Sequence, residues 1–193
     1  SSGRFVSEPI LAGETENPSY LALHPNGLFL YAVNELQTFE GKPTGAVSAF
    51  SVDPATGRLT FLNRQVSEGS DPCWVVVDAA GRNVLVANYT SGTVAVLPLS
   101  PDGRLQPASS VRQGSGSGPV RARQEGPHAH TVVLDAASRF AGTGEQAADP
   151  AAQEWRSWDV ARRIDHALVN GITVVIEAGE RRDGQEDPGV QGP

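Results

Sequence analysis

The sequence predicts a mainly β chain. It reads as a partial β-propeller of two four-stranded antiparallel blades plus the start of a third, followed by one amphipathic α-helix and a disordered tail. Three observations predict it. A motif recurs at an offset of 54 residues, each copy holds four short apolar runs parted by turn residues, and a pattern of helical period begins after Asp149-Pro150.

The repeat opens with Asn17-Pro18-Ser19-Tyr20-Leu21-Ala22-Leu23-His24-Pro25-Asn26-Gly27, which returns as Asp71-Pro72-Cys73-Trp74-Val75-Val76-Val77-Asp78-Ala79-Ala80-Gly81. An apolar run ending in Asn follows each, up to Asn34 and Asn88. A Gly-led run comes next, Gly45-Ala46-Val47-Ser48-Ala49-Phe50 and Gly92-Thr93-Val94-Ala95-Val96-Leu97, then Gly57-Arg58-Leu59 and Gly103-Arg104-Leu105. Asp53-Pro54-Ala55-Thr56-Gly57 and Ser100-Pro101-Asp102-Gly103 are turns, because Pro presets φ and Gly supplies a positive one. Four strands per repeat of about 40–55 residues is the pattern of a propeller blade. An ordinary all-β sandwich is the competing architecture, and the match at four landmarks per copy favours blades. A third copy opens at Gly126-Pro127-His128-Ala129-His130-Thr131-Val132-Val133-Leu134-Asp135 and fades after Phe140-Ala141. Two and a half blades must leave one sheet face open. The expected face is the outer one of the second blade, with Val75, Val77, Val86 and Val94, and exposed apolar sheet promotes self-association.

Asp149-Pro150 is a helix start, with Asp as N-cap and Pro at the first helical position. At 100° per residue Val160, Ala161, Ile164, Ala167, Leu168 and Ile172 share one face, and Arg156, Asp159, Arg163, His166 and Asn170 fall opposite. The helix is expected to end near Asn170-Gly171. Ile172-Thr173-Val174-Val175-Ile176 is β-branched and favours strand. From Gly179 to Pro193 the chain is charged and rich in Gly and Pro, a disordered composition. The expected organisation is therefore a propeller domain over 1–143, a helical segment over 144–178 and a tail over 179–193.

Composition narrows the function. Apolar residues are 39% of 193, and 22 acidic residues outweigh 15 basic ones for a net charge of −7. Without a Lys/Arg tract this excludes a nucleic-acid binder, since phosphate contacts need positive charge. No apolar run approaches the roughly 18 residues that cross a bilayer. The single Cys73 makes no internal disulfide and no Cys-based zinc site. Nothing near Ser1 reads as a signal peptide, so the expected location is the cytoplasm. The absence of Met gives the expectation of a trimmed or partial chain.

Asn17-Pro18-Ser19-Tyr20-Leu21-Ala22-Leu23-His24-Pro25, Leu30-Tyr31-Ala32-Val33-Asn34-Glu35, Val86-Ala87-Asn88-Tyr89 and Arg123-Gln124-Glu125-Gly126-Pro127-His128-Ala129-His130 resemble the bacterial seven-bladed propeller lactonases, over about residues 9–140. That family includes the propeller type of 6-phosphogluconolactonase. The resemblance implies hydrolysis of a sugar lactone without metal or other cofactor, and a small-molecule partner rather than nucleic acid or membrane. Trp74 departs from the pattern, which commonly has His there. A second resemblance, Gln153 to Val160 and Arg163 to Thr173, is to the cap domain of cobalamin-dependent methionine synthase, over about residues 150–177. The cobalamin-binding Asp-x-His-x-x-Gly motif of that family is absent.

Opening a lactone needs a water, a base to activate it and positive charge near the developing oxyanion. Arg121, Arg123, Glu125, His128 and His130 supply these types within ten residues. The resemblance carries the catalytic role, general acid/base, to His130, five residues before Asp135. It carries substrate binding to Arg123 and His128, and Glu35 is expected to face the central channel as a further binding residue. Asn34 and Asn88 read as turn-bonding residues, Cys73 as a small buried group, His24 as a turn residue. The competing functional reading is a non-catalytic propeller fragment with a foreign helical tail, inert or a binding module. A methyl-transfer module has only one helix to support it.

Overall fold

The computed structural model describes residues 11–118, 120, 122, 124–134, 140–142, 144–145, 167–169, 172–174 and 177–178. The first repeat folds into β1 (Leu21–Leu23), β2 (Phe29–Asn34), β3 (Ala46–Val52) and β4 (Leu59–Val66). The second folds into β5 (Pro72–Val77), β6 (Asn83–Asn88), β7 (Thr93–Pro98) and β8 (Ser110–Gln113). Each set is one antiparallel sheet in sequential order, so both expected blades are present. Of the third repeat, β9 (Val133–Leu134) pairs with β10 (Phe140–Gly142). Four short segments follow: β11 (Gly144–Glu145), β12 (Ala167–Val169), β13 (Ile172–Val174) and β14 (Glu177–Ala178). β12 pairs antiparallel with β13, and β11 parallel with β14.

The turns form as their chemistry dictates. The Asp53 carboxylate accepts hydrogen bonds from the Thr56 hydroxyl at 2.6 Å and the Ala55 amide at 2.9 Å, and Gly57 takes φ 71°. Those two donors hold the Asp53 carboxyl below the usual carboxylate range. The fourth strands differ. β4 starts at Leu59, whereas β8 starts only at Ser110, because Pro107 has no N–H to give a ladder. Leu105 turns instead to the first blade: its amide donates to Asn63 Oδ1 at 3.0 Å, and Asn63 Nδ2 donates to its carbonyl at 2.8 Å.

The period of two along each strand sends alternate side chains to opposite faces. Tyr31, Val33, Val47 and Ala49 of the first blade meet Val75, Val84, Val86, Ala95, Leu97 and Leu105 of the second in one core. Leu85, Ala87, Val94 and Val96 point the other way and are covered by Ala129 and Val132 of the third repeat. This corrects the expected open face. Val75, Val86 and Val94 are buried and Val77 is half-buried, because Val75, Val77 and Val86 on β5 and β6 face back onto the first blade and Val94 on β7 lies under the third repeat. Leu21 (54%), Leu23 (58%) and Phe61 (53%) of the first blade are exposed instead, as is Val111 on β8 of the second. Leu21 and Leu23 are the repeat counterparts of Val75 and Val77.

The expected helix lies over 150–166 outside the described residues, and at its expected end Ala167–Val169 is strand. The expected disorder of 179–193 lies wholly outside them. No helix among the described residues is long and apolar enough to cross a membrane.

Leu85 has no exposed surface. Leu85→Ala should cost about 2–5 kcal/mol in denaturant unfolding. Gly45 is a second sensitive point, because a Cβ there would run into the Pro72 ring and the Asn34 carbonyl oxygen where the blades meet. Gly45→Ala should lose about 1–3 kcal/mol on the same measurement, and wild-type stability in that variant would disprove the close approach.

Candidate functional site

The repeat brings like positions to one end of the blades. Counting back five residues from His24, Asp78 and Asp135 gives Ser19, Cys73 and His130, and counting back seven gives Asn17, Asp71 and His128. One step beyond the Asn that ends the second strand stand Glu35 and Tyr89. Backbone bonding repeats with them. The Glu35 amide donates to the Asn17 carbonyl at 3.0 Å, and the Tyr89 amide donates to the Asp71 carbonyl at 2.9 Å. Asn17 and Asp71 have φ of 42° and 54°, a left-handed conformation that Asn and Asp tolerate better than most residues. Each then feeds a Pro into the first strand of its blade.

A recess of about 440 Å³ opens here, lined by Asn17, Pro18, Ser19, Glu35 and Asp71. The Asp71 amide donates to the Leu36 carbonyl at 2.9 Å, which ties the second blade to the loop carrying Glu35. Glu35 is thus one of the residues lining the recess. Asn17, Ser19 and Asp71 were not among the expected site residues; their signal was their equivalence to His128 and His130 within the repeat.

Cys73 connects the recess to the third repeat. Its Sγ lies 3.6 Å from the carbonyl oxygens of both Ala129 and His130. Burial pushes the thiol up to about 12, with the negative charges of Glu35 and Asp71 acting in the same direction. It is a neutral, half-buried hydrogen-bond donor, not a nucleophile.

His128 is buried at 7% exposure. Its Nδ1 donates to the Tyr89 carbonyl at 3.1 Å, and its Nε2 lies 3.6 Å from Glu125 Oε1. Its ring stacks on Tyr89 with centroids 4.7 Å apart. His130 is exposed, and its ring stands nearly perpendicular to Tyr89 at 5.5 Å. The structure therefore gathers His128 and His130 around Tyr89, and Glu35 and Asp71 around Cys73. Arg121 and Arg123 lie outside the described residues. Asn34 and Asn88 are fully buried: Asn34 bonds Thr15 and Ser48, and Asn88 Nδ2 donates to the Ser67 carbonyl at 2.8 Å and to the Thr93 hydroxyl at 2.9 Å. His24 likewise serves its turn, its Nδ1 accepting from the Asn26 amide at 3.1 Å. Among the described residues no group of three or more His, Cys, Asp or Glu is placed to hold a metal ion.

The family model described as "Lactonase, 7-bladed beta-propeller" matches residues 2–149. The match ends at residue 149, and these comparisons do not show the expected likeness of residues 150–177 to a cobalamin-module cap. A 6-phosphogluconolactonase of Bacillus subtilis is 43% identical over 127 residues, covering 66% of this chain and 35% of that protein. A Bacteroides uniformis crystal structure, provisionally assigned as a 6-phosphogluconolactonase, superposes with a TM-score of 0.62 at 37% identity, over 72% of this chain and 42% of that one. The periplasmic gluconolactonase of Pseudomonas aeruginosa superposes with a TM-score of 0.61 at 29% identity, over 77% and 44%. The chain thus spans about a third of the length of the Bacillus relative.

The thiol supplies a test of this geometry. A rise from 9.0 to about 12 leaves about a thousandth of the ordinary thiolate at pH 8. Alkylation of Cys73 by iodoacetamide should be about a thousandfold slower in the native chain than in urea, and should speed up steadily as the pH is raised. Equal native and unfolded rates at pH 8 would contradict the burial of the thiol beside Glu35 and Asp71.

Proposed function

Because the chain belongs to the seven-bladed β-propeller lactonase family, we propose that it forms part of a hydrolase that opens a sugar lactone of the 6-phosphogluconolactone type. The observation that carries this reading is that the repeat sets a polar recess and an exposed imidazole at equivalent ends of its blades. Asn17, Ser19, Glu35 and Asp71 line the recess, and His130 occupies the rung that Ser19 and Cys73 hold in the first two blades.

In this reading His130 takes a proton from a water as its oxygen attacks the lactone carbonyl carbon. The tetrahedral intermediate collapses by breaking the bond to the ring oxygen, and His130 returns the proton to that oxygen. The products are an open-chain hydroxyl and a carboxylic acid, which ionises. Glu35 accepts hydrogen bonds from sugar hydroxyls. Arg123 supplies positive charge for an anionic sugar phosphate, in the bidentate manner open to a guanidinium. His128, already engaged with Tyr89 and Glu125, belongs to the binding surface through the ring it supports. A phosphorylated substrate argues for the cytoplasm, where sugar phosphates are held. Self-association of the isolated chain would run through Leu21, Leu23 and Phe61 of the first blade rather than through Val75, Val86 and Val94, which are buried.

The experiment is lactone opening by pH-stat, corrected for spontaneous hydrolysis, in the protein that carries these blades. His130→Ala should lower kcat by about a hundred- to ten-thousandfold. Glu35→Gln should mainly raise KM. Full activity in His130→Ala would remove that residue from the mechanism. Lactone binding with no turnover in the wild type would favour the alternative of a non-catalytic binding module.

A further inference from the structure

We propose that Tyr89 is a positioning residue for His130, holding the imidazole in a fixed orientation at the start of the third repeat. This rests on the reading of His130 as the general base. The geometry supports it in three steps. First, His130 is exposed, and its ring makes no hydrogen bond to a described residue, so hydrogen bonding among those residues does not choose its rotamer. Second, the neighbour that does constrain it is an aromatic ring, 5.5 Å away at an interplanar angle of 88°, the edge-to-face arrangement that the aromatic quadrupole favours. Third, that ring is itself backed. Tyr89 stacks on His128 at 4.7 Å and 20°, and His128 is buried and pinned by its Nδ1 hydrogen bond to the Tyr89 carbonyl. The Tyr89 backbone is pinned in turn by its amide bond to Asp71.

The repeat adds a reason for an aromatic ring at this place. Glu35 holds the equivalent position in the first blade, with the same backbone bond, and lines the recess with a carboxylate. In the second blade the position adjoins the third repeat, where the two histidines stand. A carboxylate there would pair with an imidazole and draw it out of line. An aromatic ring constrains the imidazole while leaving its nitrogens available for water and substrate. A base held by packing loses rate when its support is removed, because small misplacements of a catalytic group cost about a hundredfold.

The test uses NMR of the histidine rings in the full chain, alongside lactone kinetics. In the wild type, nuclear Overhauser contacts should link the ring protons of Tyr89 and His130. The His130 ring protons should be displaced from free-imidazole positions by the tyrosine ring current. Tyr89→Phe should keep that displacement, and Tyr89→Leu should abolish it, with the His24 signals unchanged as the control for folding. In kinetics Tyr89→Leu should lower kcat by about a hundredfold with KM within about twofold, and Tyr89→Phe should restore kcat. Absence of the contacts in the wild type, or His130 ring signals that keep their wild-type positions in Tyr89→Leu, would overturn the proposal. A loss confined to KM would overturn it as well. The ring signals decide the positioning role even where the wild type opens no lactone, an outcome that would sink the hydrolase reading alone.

Discussion

Tyr31 lies between the first two blades with no exposed surface, its hydroxyl donating to the Gly103 carbonyl at 3.1 Å. Burial, assisted by the charge of Asp102, pushes that hydroxyl well above the ordinary phenol range, so it stays a neutral donor. Around it the paired faces of the blades interdigitate, and the two bonds between Asn63 and Leu105 fix their lateral register. The recess depends on this packing because its walls come from different blades. Asn17, Ser19 and Glu35 belong to the first and Asp71 to the second. A slip of one blade on the other would move both Asp71 and the Cys73 thiol relative to Glu35. Gly45 marks how closely the backbones approach, since even one methyl group has no room beside Pro72.

Equivalent positions also show how unevenly the repeat is completed. Asn34 Oδ1 accepts from the Ser48 hydroxyl at 2.7 Å, and Arg64 Nε donates to the same hydroxyl at 2.9 Å. Thr15 joins the cluster, accepting from Asn34 Nδ2 at 2.8 Å and from Arg64 at 2.9 Å. In the second blade Ala95 stands at the register of Ser48, and Asn88 Oδ1 has no donor among the described residues. The difference follows from what each blade faces. Ala95 packs into the apolar core against the first blade, where a hydroxyl would be costly to bury. Ser48 lies on the open side of the first blade, where the chain around Thr15 brings polar partners.

Much of the fold was legible because β-propeller repeats write their landmarks twice. The Asn that closes the second strand, the Gly just before the third and the Pro-Gly turn before the fourth each follow from local chemistry, and each fell where the repeat put it. Facing direction was harder to read. Alternation identifies two faces of a strand without saying which faces the next blade, and so the open surface was expected at Val75 and Val86 although it lies at Leu21 and Leu23. Trp74 illustrates the same limit. It departs from the family pattern, yet it stacks on Tyr20 at 4.0 Å and donates from Nε1 to the Val132 carbonyl at 3.0 Å, a bridge across three repeats that only the fold reveals. At the proposed site, His130 and Glu35 were expected from type and position. Tyr89 was not, because a tyrosine after a strand-ending Asn carries no chemical signature until its neighbours are known.

The repeat also gives the proposed site a direction. The first two blades bring carboxylates to the recess, Glu35 and Asp71, and fill the common rung with Ser19 and a thiol that stays protonated. The third repeat brings imidazole to that rung and is preceded in sequence by Arg121 and Arg123. A sugar lactone bearing a phosphate has two unlike ends: hydroxyls, which donate well to carboxylates, and anionic or anion-forming oxygens, which carboxylates repel. On the proposed reading the hydroxyls therefore turn towards the first two blades, and the phosphate and the lactone carbonyl towards the third. This orientation sets the reacting carbon beside His130 and keeps the developing oxyanion away from Glu35 and Asp71. A sequence repeat that placed the same residue at every rung could not have produced that polarity; it arises because one position, equivalent in the fold, holds Ser, Cys and His in turn.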